Sequence, residues 1–259
     1  MNTQYFKRTI GVGIGWLFEI RPRRSVLLYH AFSTSQLAVS SGQFEEQIRW
    51  LSLHSQVMGL NRLVEGVGEG PFTVALTFDD AYASVFDIAF PLLQKHGFVG
   101  TVYVNPGSVH DTVRTPSNPD QGHYPNEQFM TWSELRQLSA AGWSIGGHGI
   151  DHVDLTKVDK PTLRHQVAGC KSQIESKLGG PCVEFAYTWG RHTADVRDAV
   201  RQAGYHSAVA GLHGPVTRSS DTFALPRLDI RSEYSLSDFQ AVVKGSWDFL
   251  SYVQKWRGR

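Results

Sequence analysis

Apolar positions along this chain recur with two periods, two and 3.6, and the two alternate. Ser25 to Tyr29 reads as a strand. Ser40 and Gln43 then have capping-box spacing ahead of Phe44, Ile48 and Leu51, a stripe that predicts a helix. Val74, Leu76 and Phe78 alternate with Thr73, Ala75 and Thr77 as a strand, followed by a helix from Ala83 to His96 closed by Gly97 and a strand from Val99 to Val104. Thr131 and Glu134 form a second capping box, and Gly142 ends that helix before a strand at Trp143 to Ile145. A helix over Thr162 to Leu178 stops at Gly179 and Gly180, Val183 to Tyr187 is a strand, and Thr193 to Ala203 is a helix capped by Gly204. Short strands at Ser207 to Val209 and Ala224 to Ile230 precede a last helix opened near Ser235 or Ser237.

About seven such alternations imply parallel β/α units in one α/β domain. In 259 residues a β/α barrel is the economical closure, with an open doubly wound sheet as the alternative. One segment has no period: Asn105 to Gln128 is polar, carries Pro106, Pro116, Pro119 and Pro125, and is expected as a rim loop beside the site mouth. At the amino terminus, Lys7 and Arg8 precede an apolar stretch, Thr9 to Ile20, with Gly11, Gly13, Gly15 and Glu19 inside it and no small-x-small cleavage site before Arg21. The stretch is shorter than the ~20 residues that cross a bilayer. Residues 1–24 are therefore expected to be retained, as a helix packed on the domain or a peripheral membrane contact, with 25–259 as the folded domain.

Composition narrows the function. With 41% hydrophobic residues the chain is globular, and 25 Lys+Arg against 24 Asp+Glu leave a formal charge of +1, which gives no field for nucleic acid. Cys170 and Cys182 lack a C-x-x-C, which excludes a cysteine zinc site and points to a reducing compartment.

Chemistry in β/α folds sits at the carboxyl ends of strands. Asp79 and Asp80 follow the strand that ends at Phe78, and a turn can present both to the mouth. His148 and His152 follow the strand at Trp143 to Ile145; if their segment is helical they share one face, close enough for one metal ion. Gly149 after His148 excludes the zincin pattern. Two histidines and one aspartate make a three-ligand site with an open position, and the spare carboxylate is what a general base requires. Gly142 to Gly146 satisfies G-x-S-x-G, but a helix precedes it, so it reads as a strand with chance spacing. Trp50, Trp132, Trp143, Trp247 and Trp256 read as core or helix-face residues, whereas Trp189, Tyr82 and Tyr124 flank the mouth as candidates for stacking on a ligand.

Thr77 to Ala81 resembles the T-F-D-D-G motif, and His148 to His152 the H-[ST]-x-x-H motif, of the NodB-homology polysaccharide deacetylases of carbohydrate esterase family 4. Phe185 to Gly190 is similar to that family's aromatic turn, and Leu28-Tyr29-His30 and Leu225-Pro226-Arg227 also look like its segments. The resemblance implies a distorted (β/α)7 barrel that removes N-acetyl groups from an amino sugar in a polysaccharide or lipid-linked glycan. It implies Asp79 as general base, Asp80, His148 and His152 as metal ligands, and the Trp189 backbone N–H as a second oxyanion donor. The expected ion is Zn2+, with Co2+, Ni2+ and Fe2+ as alternatives. Tyr82, Tyr124, His30 and Arg227 are expected to bind the carbohydrate.

Departures from the pattern carry expectations too. Ala81 and Gly149 replace the motif Gly and Ser/Thr without touching a ligand. Ala186 stands where many members have an Arg that orients the base, so Asp79 is expected to lack that partner. The family's late L-x-H histidine is missing, leaving His213, His30, His192 or water as general acid, since Arg227 in that register cannot release a proton. Two other readings stand beside the deacetylase: a catalytically degraded glycan-binding barrel, and a non-haem iron oxygenase with a 2-His-1-carboxylate site. The resemblance and the retained amino terminus together imply a cytoplasmic location at the inner face of a bacterial membrane.

Overall fold

A computed structural model describes residues 22–33, 37–66 and 70–251. The apolar stretch from Thr9 to Ile20 and Trp256 lie outside them. The first elements are β1 (Arg23–Tyr29), α1 (Ser41–His54), β2 (Gln56–Val57), α2 (Leu60–Val64) and β3 (Phe72–Phe78). They are followed by α3 (Phe90–Lys95), β4 (Thr101–Val104), α4 (Trp132–Ala140), β5 (Ser144–Gly147), α5 (Lys160–Arg164) and α6 (Cys170–Leu178). The chain continues through β6 (Glu184–Ala186), α7 (Ala194–Gln202), β7 (Ser207–Val209), β8 (Leu228–Asp229) and α8 (Leu236–Lys244).

The strands form a parallel sheet in the order β7-β6-β5-β4-β3-β1-β8, with β2 beside β3. The stretch expected as one strand, Ala224 to Ile230, serves two neighbours instead. Leu225 bridges to Val209 of β7, and beyond Pro226 the residues Leu228 and Asp229 pair with Leu27 and Leu28 of β1. Proline cannot donate to a ladder, so the strand divides there, and its halves join the two edges of the sheet into the expected barrel.

Local signals act as read. Ser40, Thr131 and Ser235 each cap a helix through a reciprocal box with Gln43, Glu134 and Asp238. Two helices depart from regularity: π turns at Val85–Ala89 and His165–Gly169 precede α3 and α6, each on the helix that follows a loop carrying candidate ligands. β1 starts at Arg23, two residues before the expected boundary, and Arg23 forms a buried pair with Asp248 at 2.6 Å. The short β2 and α2 escape sequence periodicity because neither completes two turns or alternations. Leu60 and Leu63 of α2, with Met58 between the two elements, pack with Val26, Ala75, Tyr103, Ala186 and Val209 inside the barrel, next to the start of β3. The larger apolar layer, including Phe44, Phe78, Leu93, Trp143 and Phe185, lies between sheet and helices. Trp50, Trp132, Trp143 and Trp247 are buried, as their positions predicted.

Candidate metal centre

β3 hands the chain to the site through a strained turn. Asp79 N–H donates to the Tyr29 carbonyl at 3.0 Å, and Asp80 and Ala81 then adopt φ of 68° and 52°. This left-handed corner sends the adjacent carboxylates to different partners. Asp79 turns to Arg227, whose Nη1 and Nη2 donate to its two oxygens at 2.6 and 2.8 Å. Asp80 turns to the histidines.

The segment from His148 to His152 is an irregular loop, not a helix, and Gly149 and His152 have φ of 76° and 51°. The conditional reading of a shared helical face is therefore replaced by a turn that converges the two rings at 5.2 Å between centroids. Buried side chains hold the loop from both sides. Asn105, just beyond β4, donates to the carbonyls of His148 and Gly149 at 2.6 and 3.2 Å. Gln166, in the π turn before α6, accepts from the N–H groups of Ile150 and Asp151 at 2.8 and 3.1 Å and donates to the Asp151 carboxylate at 2.7 Å.

The donor set fits a divalent cation. Nε2 of His148 and of His152 lie 3.5 and 3.4 Å from Oδ1 of Asp80, and the candidate ligand atoms of all three lie within 4.8 Å of one another. Two ligand atoms about 2.1 Å from one ion at a tetrahedral angle stand about 3.4 Å apart. His148 Nδ1 donates to the Ala186 carbonyl at 2.8 Å and His152 Nδ1 to the Gln121 carbonyl at 2.7 Å, which leaves each Nε2 lone pair for the ion. Oδ1 of Asp80 is buried without a hydrogen-bond partner, a costly arrangement that a bound cation relieves. Burial holds the His152 imidazole below its ordinary pKa against the opposing charge of Asp80, so it is poised neutral as a ligand must be.

Two expectations about the base change. Burial alone would raise the Asp79 carboxyl, but Arg227, with His148 and His30, overrides it and brings the group down to about 2. Asp79 therefore has an orienting partner, supplied by the Leu225-Pro226-Arg227 segment in place of the aromatic turn, while Ala186 holds His148 through its carbonyl. Arg227 is only 2% exposed and is spent on Asp79, so it does not face a carbohydrate directly.

The other expected sugar contacts divide. Tyr82 is fully buried, with its hydroxyl accepting from Tyr124 N–H and facing Asp80, so it supports the site and cannot stack on a ligand. Tyr124 and His30 are partly exposed and stack on each other at 5.4 Å between centroids. Trp189 is 45% exposed, has a φ of 52°, and lies 4.5 Å from the His152 ring. The insertion reaches the site through Gln121, Tyr124 and His123, a buried histidine whose ring lies 4.6 Å from that of His152. Sequence reasoning passed over His123, Asn105 and Gln166, since nothing in a polar aperiodic loop or a helix interior marks them.

Comparison with known proteins gives a family. The polysaccharide deacetylase family model matches residues 67–208. The chain is 24% identical over 237 residues to YxkH of Bacillus subtilis (strain 168), covering 88% of this chain and 79% of that one. It is 23% identical over 224 residues to the poly-beta-1,6-N-acetyl-D-glucosamine N-deacetylase of Staphylococcus aureus (strain MRSA252), covering 82% and 72%. In fold it is similar to the Streptococcus pyogenes deacetylase PplD solved with acetate, with a TM-score of 0.72 at 18% identity, covering 87% and 99%.

Proposed function

Since the chain belongs to the polysaccharide deacetylase family, we propose that it is a metal-dependent N-deacetylase of a glycan built from N-acetylated amino sugar. The observation that carries this reading is the pairing of a buried Asp80-His148-His152 cluster with a second, Arg227-bound carboxylate on the adjacent residue. A divalent cation held by Asp80, His148 and His152, with zinc as the first choice and cobalt, nickel or iron as alternatives, supplies Lewis-acid polarisation of the acetamide carbonyl and acidifies a water.

Asp79 takes the proton of the attacking water. Arg227 keeps it anionic and fixes both oxygens, so the carboxylate reaches the reaction already oriented. The Trp189 N–H is the proposed donor to the developing oxyanion. His30 is the proposed proton donor to the leaving amine: it follows β1, acts on Asp79 electrostatically and is partly exposed. The other two histidines are placed elsewhere. His213 lies 3.8 Å from Asp248, the partner of Arg23 at the start of β1, and His192 packs on Tyr187. Acetate and a free amine leave.

Trp189, Tyr124 and His30 form the proposed carbohydrate-facing rim. A β-1,6-linked N-acetylglucosamine polymer is the first substrate class to test, by similarity to the Staphylococcus aureus enzyme. A cytoplasmic site with peripheral membrane contact stays a proposal that rests on the sequence pattern of residues 1–24; among the described residues no helix is long and apolar enough to cross a membrane. The degraded-site reading loses its main support once Arg227 is seen on Asp79, and the parallel β/α barrel and family membership leave no observation favouring an oxygenase.

Acetate release from β-1,6- and β-1,4-linked N-acetylglucosamine oligomers, measured with metal content, tests the reading. Metal-dependent release that chelation, Asp79→Asn and His148→Ala each abolish is the expected result. Metal-loaded protein that releases no acyl group from any of these glycans overturns it.

A further inference from the structure

Arg227 is held by hydrogen bonds from its nitrogens and by an aromatic ring. Along the edge, Nη1 and Nη2 bind Asp79, Nη1 also approaches Thr77 Oγ1 at 3.4 Å, and Nε donates to the Ala210 carbonyl at 3.3 Å. Arg227 Cζ also lies over the ring of Tyr103, 5.8 Å from its centroid and inside the roughly 6 Å reach of a cation–π contact. Tyr103 is fully buried in the barrel interior, and its hydroxyl has no hydrogen-bond partner, so the residue is not held there by a polar contact of its own.

The sheet makes specific room for this ring. Gly146 of β5 is the direct register partner of Tyr103 in β4, and a Cβ there would lie 2.6 Å from both Cδ1 and Cε1 of the ring and 2.7 Å from the Glu184 carbonyl oxygen. A glycine in a strand interior weakens the strand and marks a close approach. Here the approach is that of an aromatic ring on one side and the β6 backbone on another.

We propose that Tyr103 is a positioning residue for hydrolysis: its ring, packed beside Gly146, underlies the Arg227 guanidinium and so keeps it where it grips both oxygens of Asp79. The inference rests on the assignment of Asp79 as the base. The ring performs the task and the hydroxyl does not. The effect of Tyr103 passes through Arg227.

The test is steady-state acetate release by the metal-loaded full chain for Tyr103→Phe, Tyr103→Leu, Gly146→Ala, Arg227→Met and the Tyr103→Leu/Arg227→Met double variant. Tyr103→Leu is expected to lower kcat about 10-fold with KM and metal content held within about twofold, and Tyr103→Phe to restore kcat to within about twofold. Gly146→Ala, whose Cβ would crowd both the ring and the Glu184 carbonyl, is expected to lower kcat at least as far as Tyr103→Leu. In the Arg227→Met background the Tyr103→Leu change is expected to add less than about twofold, because the pair acts as a unit. A wild-type kcat in Tyr103→Leu, or a loss that multiplies in full in the double variant, overturns the proposal.

A crystal structure of Tyr103→Leu separates this failure from that of the functional reading. Loss of the two-nitrogen grip on Asp79 supports the positioning role even if no substrate is turned over, and an unchanged grip refutes it. Should Tyr103→Leu not fold, Tyr103→Met carries the same kinetic and structural comparison.

Discussion

Arg227 lays Nη1 and Nη2 against the two oxygens of Asp79 at 2.6 and 2.8 Å, with both side chains buried. Removing one member of such a pair leaves an uncompensated buried charge, a loss of about 3–5 kcal/mol. Arg227→Met is therefore expected to lose stability by that amount and activity by about 100-fold or more, while Arg227→Lys, which keeps the charge without the fork, loses less. The pH dependence has a definite sign. Asp79 is depressed from 3.8 to about 2, so its pair stabilises the fold above the ordinary carboxylate range and that contribution is lost as pH falls towards 2. Without Arg227 the strongest influence lowering the carboxyl is gone and burial still raises it, so the base titrates higher than in the wild type and the acid limb of kcat/KM moves to higher pH. A pH–rate profile of Arg227→Met that overlays wild type would show that the pair does not govern the base.

Most of the barrel and half of the site's logic were legible beforehand, for identifiable reasons. Capping boxes at Ser40 and Thr131 and the Thr73–Phe78 alternation are local, so a single window of sequence contains them. The Asp79-Asp80 and His148–His152 pairs are likewise local spacings. Arg227 on Asp79 is separated by 148 positions and joins only when the sheet closes, so sequence put the arginine in the right segment with the wrong task. The carbonyl of Gln121 on His152 has no side-chain signature at all, since any residue carries one. Tyr82 looked available because it flanks the motif, but the left-handed turn at Asp80 and Ala81 carries it inward.

The clamp on the histidine loop predicts metal affinity. Gln166 occupies two N–H groups and one carboxylate around residues 150–151, between the two ligands. Outer groups that orient metal ligands typically carry 10- to 100-fold in affinity. Gln166→Leu is expected to weaken zinc binding within about that range in competition with a chromophoric chelator. Gln166→Glu, which keeps the acceptors but faces the Asp151 carboxylate, is expected to fall between it and wild type. Equal affinities for all three proteins would show that the loop holds its shape without the clamp.

Ala81 takes a φ of 52° at a fully buried position where the resembled motif has glycine. Left-handed backbone costs an alanine roughly 1–2 kcal/mol, whereas glycine gives back about 0.4–1 kcal/mol through the freedom of the unfolded chain. Ala81→Gly should therefore leave stability within about 1 kcal/mol of wild type and keep the metal. Ala81→Val combines a β-branched residue at positive φ with overpacking and is expected to destabilise by about 2–3 kcal/mol or more and to lose metal. Urea denaturation of the two variants checks the contrast; a Val variant as stable as the Gly variant would mean that the turn is not held in this conformation.

Glu184 predicts a stability slope of opposite sign to that of Asp79. It lies on β6 inside the sheet and is 2% exposed. Burial raises its carboxyl from 4.5 to about 7, against the opposing influence of the Thr101 and Ser144 hydroxyls. Between those two values the folded chain holds a proton that the unfolded chain has released, so stability is full at the acid end of the window and declines as pH rises through it. At about 1.4 kcal/mol for each pH unit crossed, the whole window represents roughly 3 kcal/mol. Glu184→Gln keeps the shape and removes the charge. It should match wild type near pH 4.5, exceed it by up to roughly that amount at pH 8, and flatten the wild-type decline between. Denaturation midpoints at three pH values decide the matter: a variant that is destabilised at pH 8 would mean that the carboxylate, and not the protonated acid, is the form the barrel interior accommodates.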